Sequence, residues 1–355
     1  MKKFAVSFLL FGLVLALTIQ PGQAIPRQQE KTNPVIIPPA VKTVLEQAVQ
    51  TSEPRQDIPF EFYRHIFLPT TTDNLHNIFL FNVKNADLGF APMVSTEVDL
   101  QAADEQSSFQ ETAAKMQARG NAFLQFRNKA DKAIVKEVYV PYNFQIDGAS
   151  YKAEENVMCS VGYPLPAGDY FLAMALTSSD LQKIGISFQE FTLPNPKEFT
   201  DNLGTTSVFF VSDIKRMQAP ETRVEMHHGY FTYSVLEINP NISAVFAPND
   251  NLDIFFYVFG TQPNPQNQFD IAVTYEVQQE DKPMIKYAAQ NYNGPLVSQP
   301  LPLKRTVKVI TTKGEEKSEK TEQKDLEAGD YVLVIEVVDN VSGKKIIKKV
   351  NFSVK

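Results

Sequence analysis

The sequence predicts an all-β protein: two tandem β-sandwich domains behind a signal peptide and a proline-rich tether. Three observations carry this. Leu165-Pro166-Ala167-Gly168-Asp169-Tyr170-Phe171-Leu172 is echoed by Leu326-Glu327-Ala328-Gly329-Asp330-Tyr331-Val332-Leu333. Before them, Asp73-Asn74-Leu75 and Asp250-Asn251-Leu252 each run into an aromatic-aliphatic stretch. Two echoes in the same order point to two copies of one unit. Phenylalanine and tyrosine are plentiful, proline is frequent and long helical patterns are few, a composition suited to strands and turns. Finally, the 331 residues after position 24 exceed what a single hydrophobic core usually serves.

Residues 1–24 read as a signal peptide. Lys2 and Lys3 precede an apolar run from Phe4 to Ile19, and Gly22-Gln23-Ala24 offers small residues for cleavage before Ile25. The run is shorter than the ~20 residues a membrane-spanning helix needs, and Gln20-Pro21-Gly22 breaks it. No cysteine follows the leader to carry a lipid, and no later stretch is long and apolar enough to span a membrane. The chain is therefore expected to be exported, periplasmic or extracellular, in a bacterium. Loss of two lysines and no acids with the leader moves the formal charge from −7 to −9. That balance argues against a nucleic-acid surface, which needs a concentrated basic face, and against electrostatic docking on anionic lipid. The single cysteine, Cys159, cannot close an internal disulfide. In its apolar run it reads as a small core residue, with no basic neighbour to activate it.

Residues 25–59 form the tether, punctuated by Pro26, Pro34, Pro38, Pro39, Pro54 and Pro59. Val41, Leu45 and Val49 mark one short amphipathic helix inside it. The first sandwich is expected over 60–194, with strands at Phe62–Leu68, Leu75–Val83, Ala122–Phe126, Ala133–Val140, Asn156–Val161, Tyr170–Leu176 and Ile184–Leu193. Leu100–Gly120 reads as a long polar loop. In the closing strand Ile184, Ile186 and Phe188 alternate with Gly185, Ser187 and Gln189, the period of a half-buried strand. A linker, residues 195–204, should restrict the angle between domains without fixing it. The second sandwich, 205–355, shows strands at Ser207–Ser212, Tyr230–Ile238, Asp253–Phe259, Asp270–Val277, Arg305–Thr311, Tyr331–Asp339 and Lys345–Val354. Asn291–Pro302 reads as turn, and Thr312–Lys324 as a solvated hairpin tip or loop.

The repeated Gly-Asp-Tyr (Gly168, Asp169, Tyr170; Gly329, Asp330, Tyr331) is the clearest motif. Glycine should permit a sharp turn, aspartate should bond nearby backbone amides, and tyrosine should begin the strand with its hydroxyl reaching a backbone group at the core edge. An Ala-Gly-Asp-Tyr turn, an aliphatic strand, a polar turn such as Asp339–Lys344 and a closing alternating strand together resemble the last hairpin of immunoglobulin- and fibronectin-III-like sandwiches. The stretch also resembles the C-terminal β-sandwich of exported bacterial proteins of the GWxTD type. The likeness covers roughly 30 residues per copy and implies fold rather than function. Without tryptophan the Gly-Trp-x-Thr-Asp motif itself is missing, so no functional residue is carried over.

No cluster identifies a reaction. His227 and His228 are adjacent, but strand neighbours point to opposite faces, and no third ligand lies near in sequence. His65 and His76 stand singly. Asp73 and Asp250 occupy equivalent turns. The Asn249-Asp250-Asn251-Leu252-Asp253 run is the better calcium candidate, although turn formation is the much simpler explanation. Tyr230, Phe231, Tyr233, Tyr287 and Tyr292 could form a sugar- or peptide-binding platform, yet alternating strand aromatics belong more often to a core. No phosphate-binding loop, dinucleotide fingerprint or nucleophile elbow occurs, and no metal or cofactor is expected. The function expected is a non-catalytic module that binds another protein or an envelope component by strand addition or aromatic anchoring. The alternative is a carbohydrate-binding or glycan-processing accessory protein.

Overall fold

Helix α1 (Pro39–Thr51) comes first in the computed structural model, which describes residues 37–93, 115–199, 202–313 and 316–355. The signal peptide, residues 25–36 of the tether and most of the Leu100–Gly120 loop lie outside the described residues. Pro39 starts the helix where its missing N–H costs nothing and its fixed φ suits the first turn. The buried stripe is Val41, Leu45 and Ala48 rather than Val49, the i, i+4, i+7 drift of a straight helix. Through that stripe α1 packs on the first half of the protein.

In the first half, strands β1 (Phe60–Pro69) and β2 (Leu75–Lys84) lead through a helical turn, α2 (Asn85–Leu88), to the two-residue β3 (Ala91–Pro92). Then come β4 (Met116–Asn128), β5 (Ile134–Ile146), β6 (Asn156–Leu165), β7 (Gly168–Ser178) and β8 (Ile184–Leu193). They pair antiparallel as β1-β2-β6 in one sheet and β5-β4-β7-β8 in the other, with β3 on the start of β4. Phe79, Phe81, Cys159 and Val161 from the first sheet meet Leu124, Phe126, Leu172 and Met174 from the second, giving an apolar interior between the layers.

The second half holds β9 (Gly204–Thr205), β10 (Phe209–Arg216), β11 (Met226–His228), β12 (Phe231–Tyr233), β13 (Leu236–Pro240), β14 (Val245–Phe246) and β15 (Asn251–Phe259). It continues with β16 (Ile271–Gln279), β17 (Lys282–Lys286), β18 (Gln290–Tyr292), β19 (Leu296–Pro302), β20 (Lys304–Lys313), β21 (Glu316–Asp325), β22 (Gly329–Asp339) and β23 (Lys345–Val354). Its main sheets run β10-β15-β19 and β17-β16-β22-β23. The seven principal strands thus repeat the order of the first half, position for position, around a second core of Ile254, Phe256, Val273, Tyr275, Leu333 and Ile335.

Two insertions distinguish the second half most clearly. Between β6 and β7 the first half has only Pro166-Ala167, whereas the second inserts the ribbon β20–β21 between β19 and β22. Between β1 and β2 the first half has a short turn. Between β10 and β15 the second has residues 217–250, and β11 from that insertion pairs with β6, extending the first half's sheet to β1-β2-β6-β11.

A third core lies between the halves. Ile66, Leu68, Ile78, Leu80 and Met158, on the outer face of β1, β2 and β6, pack with Phe209, Val211, Phe231, Ile238 and Phe255. Where a linker that restricts the interdomain angle without fixing it was expected, this shared apolar layer and the β11 crossover tie the halves into one compact unit.

Other expectations shift in detail. Tyr230–Ile238 is a tight hairpin, β12–β13, turned at Ser234 with φ +55°, instead of one strand. Asn291–Pro302 contains strand β19, and the charged 312–324 stretch is largely strand β21. Ile184 and Ile186 do not face the sandwich interior. They pair across from Thr177 and Ala175 on the outer face, which α1 covers, while Phe191 and Leu193 turn inward. Among the described residues no helix is long and apolar enough to cross a membrane.

Candidate functional site

The repeated Gly-Asp-Tyr builds two matching corners. Tyr170 donates its hydroxyl to the Pro166 carbonyl at 3.0 Å, and Tyr331 to the Glu327 carbonyl at 2.7 Å. Each ring stacks on the phenylalanine of the closing strand, Phe191 and Phe352. The aspartates do not bond turn amides. Asp169 accepts from the Thr192 hydroxyl at 2.5 Å and Asp330 from Ser353 at 2.6 Å, which pins the last two strands together. The two glycines differ: Gly168 stands at φ +157°, where a side chain is rarely found, whereas Gly329 is not at positive φ and serves space, since a Cβ there would crowd Gln279. These six residues are architectural.

The histidines all lie on the four-stranded sheet β1-β2-β6-β11. His65 donates to Asn77 at 2.8 Å between the rings of Phe79 and Phe191, and burial pushes its pKa down to about 4. His227 and His228 do point apart. His227 meets Glu221 at 3.2 Å, whereas His228 sits among Phe90, Phe144 and Asn85. Burial raises the Glu221 carboxyl, but hydrogen bonds from His227 and Thr232 outweigh it and hold it below the usual range. Asp250 caps its own turn, accepting from the Ala247 amide at 2.7 Å; Asp253 lies on strand β15. Among the described residues no three His, Cys, Asp or Glu converge as metal ligands. Cys159 is fully buried, and burial drives its thiol pKa upward, away from reactivity.

The aromatics singled out in the sequence are mostly structural. Phe231 is core, the Tyr233 hydroxyl donates to Pro69, Tyr287 to Pro302, and Tyr292 bonds Tyr275 and Gln299. The open aromatic surface is elsewhere, on β5.

Strand β5 is one edge of the β5-β4-β7-β8 sheet. The opposite edge, β8, is covered: the Ile186 amide donates to Arg55, the Asp57 amide to Ile184, and the Ile184 amide to the Asp57 carboxylate. A Cβ on Gly185 would overlap the Ile58 carbonyl, so glycine is what lets that segment lie so close. Along β5, by contrast, no strand among the described residues pairs with the outer side. Of the large apolar side chains exposed among the described residues, three belong to this strand: Ile134 (41 %), Val135 (51 %) and Tyr139 (45 %). Pro141, lacking an N–H, fits an edge.

Beside β5 lies an open cavity of about 220 Å³ lined by Pro38, Asn121, Phe123, Tyr139, Ser179 and Leu181. Tyr139 stacks on Phe123 with centroids 5.2 Å apart, and its hydroxyl donates to Asn121 Oδ1 at 2.9 Å. Asn121 in turn donates to Thr177. Leu181 is held at φ +62° by a turn in which Asp180 accepts from Ser178 and from the Gln182 amide. A bulky residue in that region is strained by roughly 1–3 kcal/mol, and here it presents an apolar wall to the cavity. The signals for this surface were present in the sequence as Ile134, Val135, Tyr139 and Pro141. The surface is chemically suited to backbone pairing plus an apolar or ring contact.

No protein-family model matches the chain, and no curated protein does.

Proposed function

We propose that the chain is a non-catalytic binding protein of immunoglobulin- or fibronectin-III-like tandem sandwiches, exported from a bacterial cell, that takes an extended segment of another protein on β5. The single observation that carries this is the uncovered β5 edge with Ile134, Val135 and Tyr139 in solvent, on a sheet whose other edge is capped. Unpaired backbone groups on an edge are a template for a further strand; Lys136, Pro141 and the register shift opposite Phe126 and Arg127 limit where along β5 one can add. Here the backbone would supply affinity and the adjoining cavity would select one side chain. The three-plus-four strand order, repeated in both halves, supports the sandwich superfamily. The basic start, apolar run and small-residue site of residues 1–24 support export.

A second reading, glycan binding, is favoured by one observation: Tyr139 offers a ring face beside the Asn121 amide and Ser179. Pull-down from envelope extract and glycan-array binding, each with the wild-type chain and with I134K/V135K, separate the two. A retained protein that the double variant loses is the expected result. Specific glycan retention without a protein partner, or retention indifferent to the two lysines, overturns it.

A further inference from the structure

The β11 insertion is the chain's most unusual connection. It leaves the second half after β10, lays three residues on β6, and returns through Gly229 at φ +87° to β12. Its register is Met226 on Val161, His227 on Ser160 and His228 on Cys159. The Gly229 amide donates to Met158 at 2.7 Å, and Ser160 donates to the Tyr230 carbonyl at 2.7 Å. Of the three β11 residues, Met226 enters the first core. A three-residue edge strand holds few bonds, so it opens locally at far lower cost than the strands beneath it.

Three of the chain's four histidines, His76, His227 and His228, gather at this contact. His76, on β2, lies against Gly162 of β6, where a Cβ would crowd its ring. His228 is enclosed by Phe90 and Phe144, with Asn85 Oδ1 3.4 Å from Nε2. The charged groups facing them are few. Glu221 faces His76 and His227, Glu155 faces His228, and Glu221, Glu225 and Glu237 face Tyr230.

We propose that residues 217–230 form an acid-released clasp: protonation of His76 and His228 opens β11 from β6 and frees that sheet edge while both sandwiches stay folded. Burial holds both imidazoles below the ordinary histidine value, with Glu221 and Glu155 offsetting only part of it. The closed clasp therefore binds fewer protons than the open one. Its stability is full above about pH 6.5 and is lost as pH falls below that value toward the lowered ones. Opening is driven by His76 and His228. The β6 edge so exposed is a second strand-accepting edge, distinct from β5.

Hydrogen exchange of the full-length chain, read on peptides covering 217–232 and corrected for intrinsic rates, tests this between pH 8 and 4.5. The opening constant should rise by up to about 100-fold per pH unit if two protons are taken up, about 10-fold in H228F, and not at all in H76F/H228F. Amides of β2 and of β6 away from the contact should remain protected throughout. Loss of protection that spreads equally to those strands, a pH-independent clasp, or an unchanged slope in the double variant contradicts the proposal. Should the double variant fold poorly, the wild-type comparison of clasp with core amides decides alone.

Discussion

Tyr170 and Tyr331 stand in one relationship to their own halves: each sends its hydroxyl to the carbonyl four residues upstream, at 3.0 Å and 2.7 Å. The same turn chemistry at the same place in two seven-strand units is the residue-level counterpart of the repeated strand order. Replacing either tyrosine with phenylalanine keeps the ring on Phe191 or Phe352 and removes one hydrogen bond. Each substitution should cost about 1 kcal/mol. Urea unfolding of Y170F and Y331F should show losses of similar size.

The capped β8 edge makes a sharper demand. Because a methyl on Gly185 would overlap the Ile58 carbonyl, Gly185→Ala must push residues 55–58 away. Overpacking of this kind costs about 1–3 kcal/mol. Limited proteolysis should find the segment between α1 and β1 cut faster in the variant than in the wild type.

His65 predicts an acid limb distinct from the clasp. Its pKa in the fold, about 4, lies below the ordinary 6.5, so the unfolded chain takes up the proton first. The stability it contributes is present above pH 6.5, declines as pH falls, and is gone below about pH 4. The full swing is at most about 3 kcal/mol. Global unfolding free energy measured against pH should fall less steeply over that interval in His65→Phe, whatever that variant's stability at neutral pH.

Glu46 on α1 meets the nearly buried Arg127 of β4 at 2.7 Å, and Gln125 and the Lys132 carbonyl take its remaining donors. Glu46→Ala leaves a guanidinium short of its counter-charge. With Glu46 a third exposed, the loss should be about 1–2 kcal/mol, below that of a fully buried pair. It should appear as faster amide exchange along α1 while β4 and β7 stay protected.

Much of the fold was legible because a strand with one buried face writes its period into the sequence. In β23, Val350, Phe352 and Val354 alternate with Lys349, Asn351 and Ser353, and β22 pairs with it in register. Long-range choices were not legible. Nothing local in Met226-His227-His228 says that Ser160 is its partner. Pro300 and Pro302 disguise β19 as turn, since an outer strand tolerates proline where an inner one does not. Charges on β20 and β21 hid the antiparallel pairing of the two strands. Ile184 and Ile186 alternate correctly, but their face belongs to α1. Exposure of Tyr139 depends on β5 being an edge, a property of the whole sheet rather than of its own ten neighbours.

The proposal that β5 is a binding edge is tested most directly by a photoreactive residue placed at Val135, with the same residue at Val341 on the exposed β22–β23 turn as control. Illumination in cell envelopes should give a discrete protein adduct from position 135 alone, lost when Tyr139→Lys is added. Equal adducts from both positions, or none from 135, would contradict the assignment of β5 as the binding surface.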